Sequence, residues 1–324
     1  MTTAVGLISG GLDSILSARL ILEQGIEVQG VSFVTPFFNS KGAERVAQAV
    51  GIPLQVLDIT EPHLAMLREP KHGYGNNLNP CIDCHILMLK EAGRVMEEGG
   101  ADFLFTGEVL GQRPMSQNKA SLRVVERESG YAGLVLRPLS AQLLPETMPE
   151  HEGKVDRKQL LGIKGRSRKE QMELAKRYHI TEFLSPAGGC LLTDPIFSRR
   201  LGDLFRRPDP VQIRDIELLK IGRHLRLSPA AKLIVGRHAQ DNEKISKMVV
   251  PQDDLLKVEE YPGPLCLIPH GGASEDVAQA ASICVRYSDA PSDEEVTVLR
   301  RRGGEERRIN VRSCPVSLPA ELMI

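Results

Sequence analysis

The chain has 324 residues, of which 41% are hydrophobic and 26% charged, with a net charge of −1. That length allows two domains, and no apolar run approaches the roughly 20 residues of a membrane span. With no charged-then-apolar leader, a cytoplasmic location is expected. The absence of Trp and an aromatic content of 4% argue against a broad base-stacking surface.

In chain order, Ala4-Val5-Gly6-Leu7-Ile8 is too short for a helix and reads as a buried strand. Ser9-Gly10-Gly11-Leu12-Asp13-Ser14 follows, and then Ile15, Leu16, Ala18, Leu20, Ile21 and Leu22 recur at helical spacing. The glycines therefore join a strand to a helix N-terminus. Two adjacent glycines let backbone N–H groups face an anion. The helix dipole adds positive charge there, and two serine hydroxyls add donors. This is a place for a phosphate or pyrophosphate. No Gly-Lys-Ser/Thr follows, so it is not a Walker-type loop.

Strands are expected at 28–34, 54–59 and 102–106, and helices at 43–50 and 83–98. Such alternation predicts an α/β fold with a doubly wound, mostly parallel sheet, whose ligands sit at the carboxyl ends of the strands. Ser9, Phe33 and Thr106 all fall at such ends. Pro208-Asp209-Pro210 breaks regular structure, dividing a domain 1–208 from a domain 211–324. In the second, a strand and turn at 232–237 and a helix at 239–248 are followed by strands at 265–269 and 295–299. A helix near 274–284 lies between those two strands. The pattern is a smaller α+β domain.

Charge is uneven along the chain. Residues 1–150 hold 12 basic against 17 acidic side chains, residues 151–210 hold 13 against 8, and residues 211–324 hold 16 against 17. A middle stretch at +5 suits a phosphate backbone, or is a solvated helix face.

Of the six cysteines, Cys266 and Cys284 lie in apolar stretches and read as small buried hydrophobes. Cys314, before a proline, shows nothing that suggests chemistry. Cys81 and Cys84 differ. In Asn79-Pro80-Cys81-Ile82-Asp83-Cys84-His85 a loop enters a helix, and the two-residue spacer lets both sulfurs face one metal. The helix N-terminus is expected to lower their pKa. Cys190, in Ser185-Pro186-Ala187-Gly188-Gly189-Cys190, is the third candidate. Besides the shared metal, a closed zinc site with His85 as fourth ligand, persulfide chemistry and coincidence stay open.

The strand–SGGxDS–helix context resembles the PP-loop ATP pyrophosphatases, which include tRNA thiolases, GMP synthetase and asparagine synthetase. The Asn-Pro-Cys-x-x-Cys segment resembles bacterial tRNA 2-thiouridine synthases. A CxxC plus one distant Cys resembles the iron–sulfur-dependent tRNA thiolases. These likenesses cover roughly residues 1–200. The ferredoxin-like and THUMP region, the rhodanese-like extension and the β-barrel of those relatives are not evident. The stretch from Arg226 to Asn242 resembles the NFACT-R type of RNA-binding domain.

What the resemblance implies is an ATP-dependent tRNA sulfurtransferase that adenylates a uridine and replaces its carbonyl oxygen with sulfur, with 4-thiouridine at position 8 as the leading product. ATP would rest on Ser9, Gly10, Gly11 and Ser14, with Mg²⁺ near catalytic Asp13. The backbone at Ser32 and Phe33 would meet the adenine, and Thr106 and Gly107 would close the pocket. Cys81, Cys84 and Cys190 would hold a [4Fe-4S] cluster whose fourth iron binds hydrosulfide from a sulfide donor. Lys164, Arg166, Arg168, Lys169, Arg223, Arg226 and Arg237 would bind tRNA. The alternatives are 2-thiouridine synthesis at the anticodon, an amide ligase, a thiouracil desulfidase, or a non-catalytic RNA-binding quality-control factor.

Overall fold

The computed structural model describes residues 1–324 except 182, 184–189, 208 and 209. Two compact units emerge, Met1–Asp194 and Pro195–Ile324. The expected boundary at Pro208-Asp209 lies outside the described residues.

The first unit runs β1 (Thr3–Leu7), α1 (Leu12–Leu22), β2 (Glu27–Val34), α2 (Lys41–Val50), β3 (Leu54–Asp58), α3 (Thr60–Arg68), α4 (Cys81–Gly99), β4 (Phe103–Phe105), α5 (Lys119–Ser129), β5 (Val135–Leu136), α6 (Met148–His151) and α7 (Lys169–Arg177). Its five strands are ordered β3-β2-β1-β4-β5, and every pair is parallel. Parallel strands need both faces covered, and the side-chain alternation supplies two apolar faces. Ala4, Val28, Phe103 and Phe105 meet α1 and α2 on one face. Val5, Val31, Phe33 and Leu104 meet α4 and α5 on the other. The doubly wound reading holds. The chain moves outward from β1 through β2 to β3, then returns to place β4 on the other side of β1. That reversal opens a crevice at the carboxyl ends of β1 and β4.

The second unit runs α8 (Pro195–Phe205), α9 (Ile213–Leu219), β6 (Arg223–Arg226), β7 (Lys232–Val235), α10 (Ala239–Met248), β8 (Asp254–Val258), β9 (Cys266–Ile268), α11 (Ser274–Arg286), β10 (Glu295–Arg302), β11 (Glu305–Arg312) and α12 (Leu318–Glu321). Its six strands are ordered β11-β10-β8-β9-β7-β6, all antiparallel. One face packs on α11 and the other on α9 and α10. The sheet is larger than the sequence pattern predicts, because β6, β8 and β11 carry arginines and lysines that mask their alternation. Cys266 and Cys284 are fully buried, and Cys314 is buried against the α11 side.

Candidate functional site

The loop after β1 starts α1 with Gly11 as N-cap and no capping side chain. A helix start of this kind is a place for an anion, although here the Ser14 N–H bonds the Gly11 carbonyl at 3.2 Å and the Gly11 N–H bonds Ser9 Oγ at 3.4 Å. Ser14 Oγ donates to the Gly11 carbonyl at 2.8 Å and lies 3.4 Å from Ser9 Oγ. The loop is held open by its own hydroxyls. Gly10 has φ +80°, and a Cβ there would meet the Gly42 carbonyl carbon of α2 at 2.4 Å. Only glycine satisfies both demands.

Thr106 and Gly107 leave β4 beside this loop. A Cβ on Gly107 would lie 2.5 Å from the Ser14 nitrogen and 2.7 Å from the Asp13 carbonyl carbon. The end of β4 and the start of α1 are thus in close backbone approach. Ser32 and Phe33, both buried, sit at the end of β2, next to β1 through the Leu7–Val31 register. Six of the residues expected at a nucleotide site, Ser9, Gly10, Gly11, Asp13, Ser14 and Gly107, come together around one loop.

Sequence reasoning missed Gln112, whose Nε2 donates to Asp13 Oδ2 at 3.1 Å. The other carboxylate oxygen of Asp13 is buried and has no hydrogen-bond partner among the described residues, a position that suits a cation. It also missed Arg113, whose charge reaches Cys190 and opposes the rise of that thiol's pKa. Their position just beyond a strand end was the available signal.

Glu108 is buried behind Thr106. Its Oε2 accepts from Thr106 Oγ1 at 3.1 Å and from Arg137 Nε at 3.0 Å. Its Oε1 lies 3.0 Å from His85 Nδ1. Burial alone would raise this carboxyl, but Arg137 and then His85 outweigh it and hold it at about 2. Arg137 also bonds Glu126. His85 thus faces Glu108 through Nδ1, an arrangement that leaves its Nε2 outside that pair and does not by itself decide for or against the zinc reading.

The three candidate cysteines are drawn together. Burial raises the Cys84 thiol most, and Cys190, Cys81 and Asp83 raise it further. Burial likewise raises Cys190, with Cys81 adding to it. The expected lowering by the helix N-terminus is corrected for Cys84, since burial and like charge outweigh the dipole. Leu191 N–H bonds the Phe37 carbonyl at 3.1 Å, and Asn77 Nδ2 bonds the Thr193 carbonyl at 2.9 Å. These contacts seat the segment of Cys190 beside the start of α4. The glycines at 188 and 189 lie outside the described residues. Among the described residues no group of three His, Cys, Asp or Glu is arranged to hold a metal. The donor set itself fits one: clustered, half-buried thiols that oppose ionisation of their neighbours are what a bound cation relieves.

A further neighbour, His63, had no local sequence signal. It is fully buried between Phe37 and Phe38, and its Nε2 lies 3.3 Å from Cys84 Sγ.

Lys164, Arg166 and Lys169 are exposed and Arg168 is half-buried. Gly165 N–H bonds the Leu110 carbonyl at 2.7 Å, so this tract runs beside the loop that carries Gln112. In the second unit Arg226 is paired with Asp203 and Arg237 with Asp241 at 2.7 Å. Arg223 lies over the Tyr287 ring at 5.0 Å. All three have partners within their own unit. No helix among the described residues is long and apolar enough to cross a membrane.

Comparison with known proteins divides the chain in two. Residues 1–142 match the thiamine biosynthesis protein (ThiI) family, and residues 222–317 match the NFACT protein RNA binding domain. The tRNA-specific 2-thiouridylase MnmA of Syntrophotalea carbinolica is 35% identical over 117 residues, 31% of this chain and 32% of that protein. The MnmA of Syntrophomonas wolfei is 28% identical over 185 residues, 54% of this chain and 50% of that protein. The chain thus spans between a third and a half of the length of these curated relatives. A crystal structure of a 4-thiouridine synthetase–RNA complex with bound ATP is 24% identical, with a TM-score of 0.38, covering 54% of this chain and 40% of that one.

Proposed function

From a chain that joins a ThiI-family PP-loop domain to an NFACT-type RNA-binding domain, we propose that the protein is an ATP-dependent tRNA uridine sulfurtransferase. The observation that carries this reading is one unit holding both an open glycine loop at a strand switch point and three neighbouring thiols. Phosphate chemistry alone would need only the first.

The chemistry divides accordingly. ATP rests its phosphates on the uncapped N-terminus of α1 and on Ser9 and Ser14. Asp13, oriented by Gln112, would hold Mg²⁺ against them. The uridine carbonyl oxygen attacks the α-phosphorus and pyrophosphate leaves, which converts a poor leaving oxygen into adenylate. Sulfide then attacks the ring carbon and AMP departs. A [4Fe-4S] cluster held by Cys81, Cys84 and Cys190 would supply an iron without a protein ligand, to which sulfide can bind. The basic tract Lys164, Arg166, Arg168 and Lys169 would guide tRNA phosphates toward the crevice, with Arg223, Arg226 and Arg237 contributing from the RNA-binding unit.

The product we favour is 4-thiouridine at position 8, in the tertiary core of tRNA, where a reader of overall shape is needed. The two relatives named 2-thiouridylases and the Asn-Pro-Cys-x-x-Cys segment favour 2-thiouridine as the second reading. Mass spectrometry of nucleosides from the tRNA of a deletion strain separates the two, since a different thiouridine disappears in each case. The activity itself is tested with purified protein, tRNA, ATP and sulfide. AMP and thiouridine should form together, and Asp13→Ala should abolish both while leaving the circular dichroism spectrum unchanged. AMP formation that ignores tRNA, or that survives Asp13→Ala, would overturn the assignment.

A further inference from the structure

Glu108 is a buried carboxylate of the first unit that the chemistry above does not use. Glu108 reaches three separate parts of the fold. Its Oε2 holds Thr106 at the end of β4 and Arg137 just past β5. Its Oε1 faces His85 on α4 at 3.0 Å. Each end of this chain of groups abuts a functional centre. Gly107, between Thr106 and Glu108, is pressed against the backbone of Asp13 and Ser14 in the nucleotide loop. His85 directly follows Cys84 in the first turns of α4, where the Cys84 N–H bonds the Pro80 carbonyl at 2.9 Å.

Buried ion pairs add little net stability, because desolvation offsets the attraction, and their best-attested use is to fix geometry. Here the pairing fixes the one geometry that two-step chemistry requires, the phosphate loop relative to the thiol-bearing helix end. Two close approaches, Gly107 to Ser14 and Glu108 to His85, are joined by the chain itself, which links Gly107 to Glu108 and His85 to Cys84. The backbone contact at Gly107 has no slack, so displacement of the loop by bound phosphates must be passed on or resisted there.

We propose that Glu108 is a positioning residue that transmits occupancy of the nucleotide pocket to the cysteine end of α4 through His85. It rests on the reading that ATP occupies the loop after β1 and that Cys84 takes part in sulfur delivery.

Hydrogen exchange of full-length protein, read by mass spectrometry on peptides covering residues 82–90, tests this with and without ATP and Mg²⁺. In the wild type ATP should change exchange there by at least about fivefold, the low end of typical inter-site couplings. In Glu108→Gln the effect should vanish while ATP affinity is retained. His85→Gln removes only the last link and leaves the Glu108–Arg137 pair intact, so it serves even if the first variant folds poorly. It should lose the effect too. An ATP effect that persists in His85→Gln would overturn the proposal, as would its absence in the wild type. Loss of ATP affinity in His85→Gln would make the network a structural clamp and overturn it equally. Failure of the sulfurtransferase reading registers separately, as wild-type protein that makes no AMP in response to tRNA.

Discussion

Gly107→Ala is the sharpest perturbation of the nucleotide pocket. The new methyl would lie 2.5 Å from the Ser14 nitrogen, 2.7 Å from the Asp13 carbonyl carbon and 2.8 Å from Ser14 Cα, where ordinary contact begins at 3.4 Å. All three are backbone atoms, so no rotamer change relieves the clash. The end of β4 must draw back from the start of α1 by about 1 Å, a misplacement of the size that can cost roughly 100-fold in rate. Overpacking of this kind costs about 1–3 kcal/mol in stability, which leaves the unit folded. Gly107 is not a left-handed glycine, so conformational strain does not confuse the result. Calorimetric ATP titration and single-turnover AMP formation measure the outcome. ATP affinity and adenylation should both fall, while Gly99→Ala, whose nearest neighbour is a Gln29 side-chain oxygen at 3.7 Å, should leave both unchanged. Wild-type ATP affinity in Gly107→Ala would refute the placement of the nucleotide against this contact.

Three further outcomes are expected. Serine at Cys81, Cys84 or Cys190 should each abolish thiolation and the iron and sulfide content of anaerobically prepared protein, whereas alanine at Cys266 or Cys284 should cost stability alone; zinc without iron, or a cluster that survives loss of Cys190, would sink the three-thiolate site. Neutralising Lys164, Arg166, Arg168 and Lys169 should flatten the salt dependence of tRNA binding by about one unit of slope for each phosphate left without its cation; the same change at Arg226 and Arg237 should do less, because carboxylates already hold them, and an unchanged slope would assign the tract to solvated surface. Burial pulls the Lys232 ammonium down to about 8, so the folded state sheds its proton first and stability should rise as pH climbs from about 8 toward the unfolded value near 10.4. Lys232→Met should accordingly be more stable than wild type at pH 7, by up to roughly 3 kcal/mol, in urea denaturation, with the gap closing at high pH. A destabilised variant at pH 7 would mean that Asp203 compensates the buried charge in full.

The sequence by itself determined the local pieces. Short apolar runs followed by 3.6-residue periodicity gave the strand–loop–helix entry and the parallel class of the first sheet, since both signals depend only on neighbours in the chain. The placement of Ser9, Gly10, Gly11, Asp13 and Ser14 at a strand-to-helix turn was legible for the same reason: a helix N-terminus and its glycines are local. Helix α10 was read to its ends, Ala239 and Met248. The antiparallel strands β6, β8 and β11 were not, because exposed arginines serve equally in strands, turns and helices, and only pairing across the sheet distinguishes them. Tertiary structure alone placed Gln112 on Asp13, His63 on Cys84, and Glu108 between Arg137 and His85, each joining residues at least 21 positions apart. It also decided the thiol electrostatics. From the sequence the helix N-terminus should have favoured the thiolate, yet the field of a helix end is weak beside the burial of Cys84 and its repulsion by Cys190 and Cys81. Burial is a property of the closed fold, so no window of residues around Cys84 contains it.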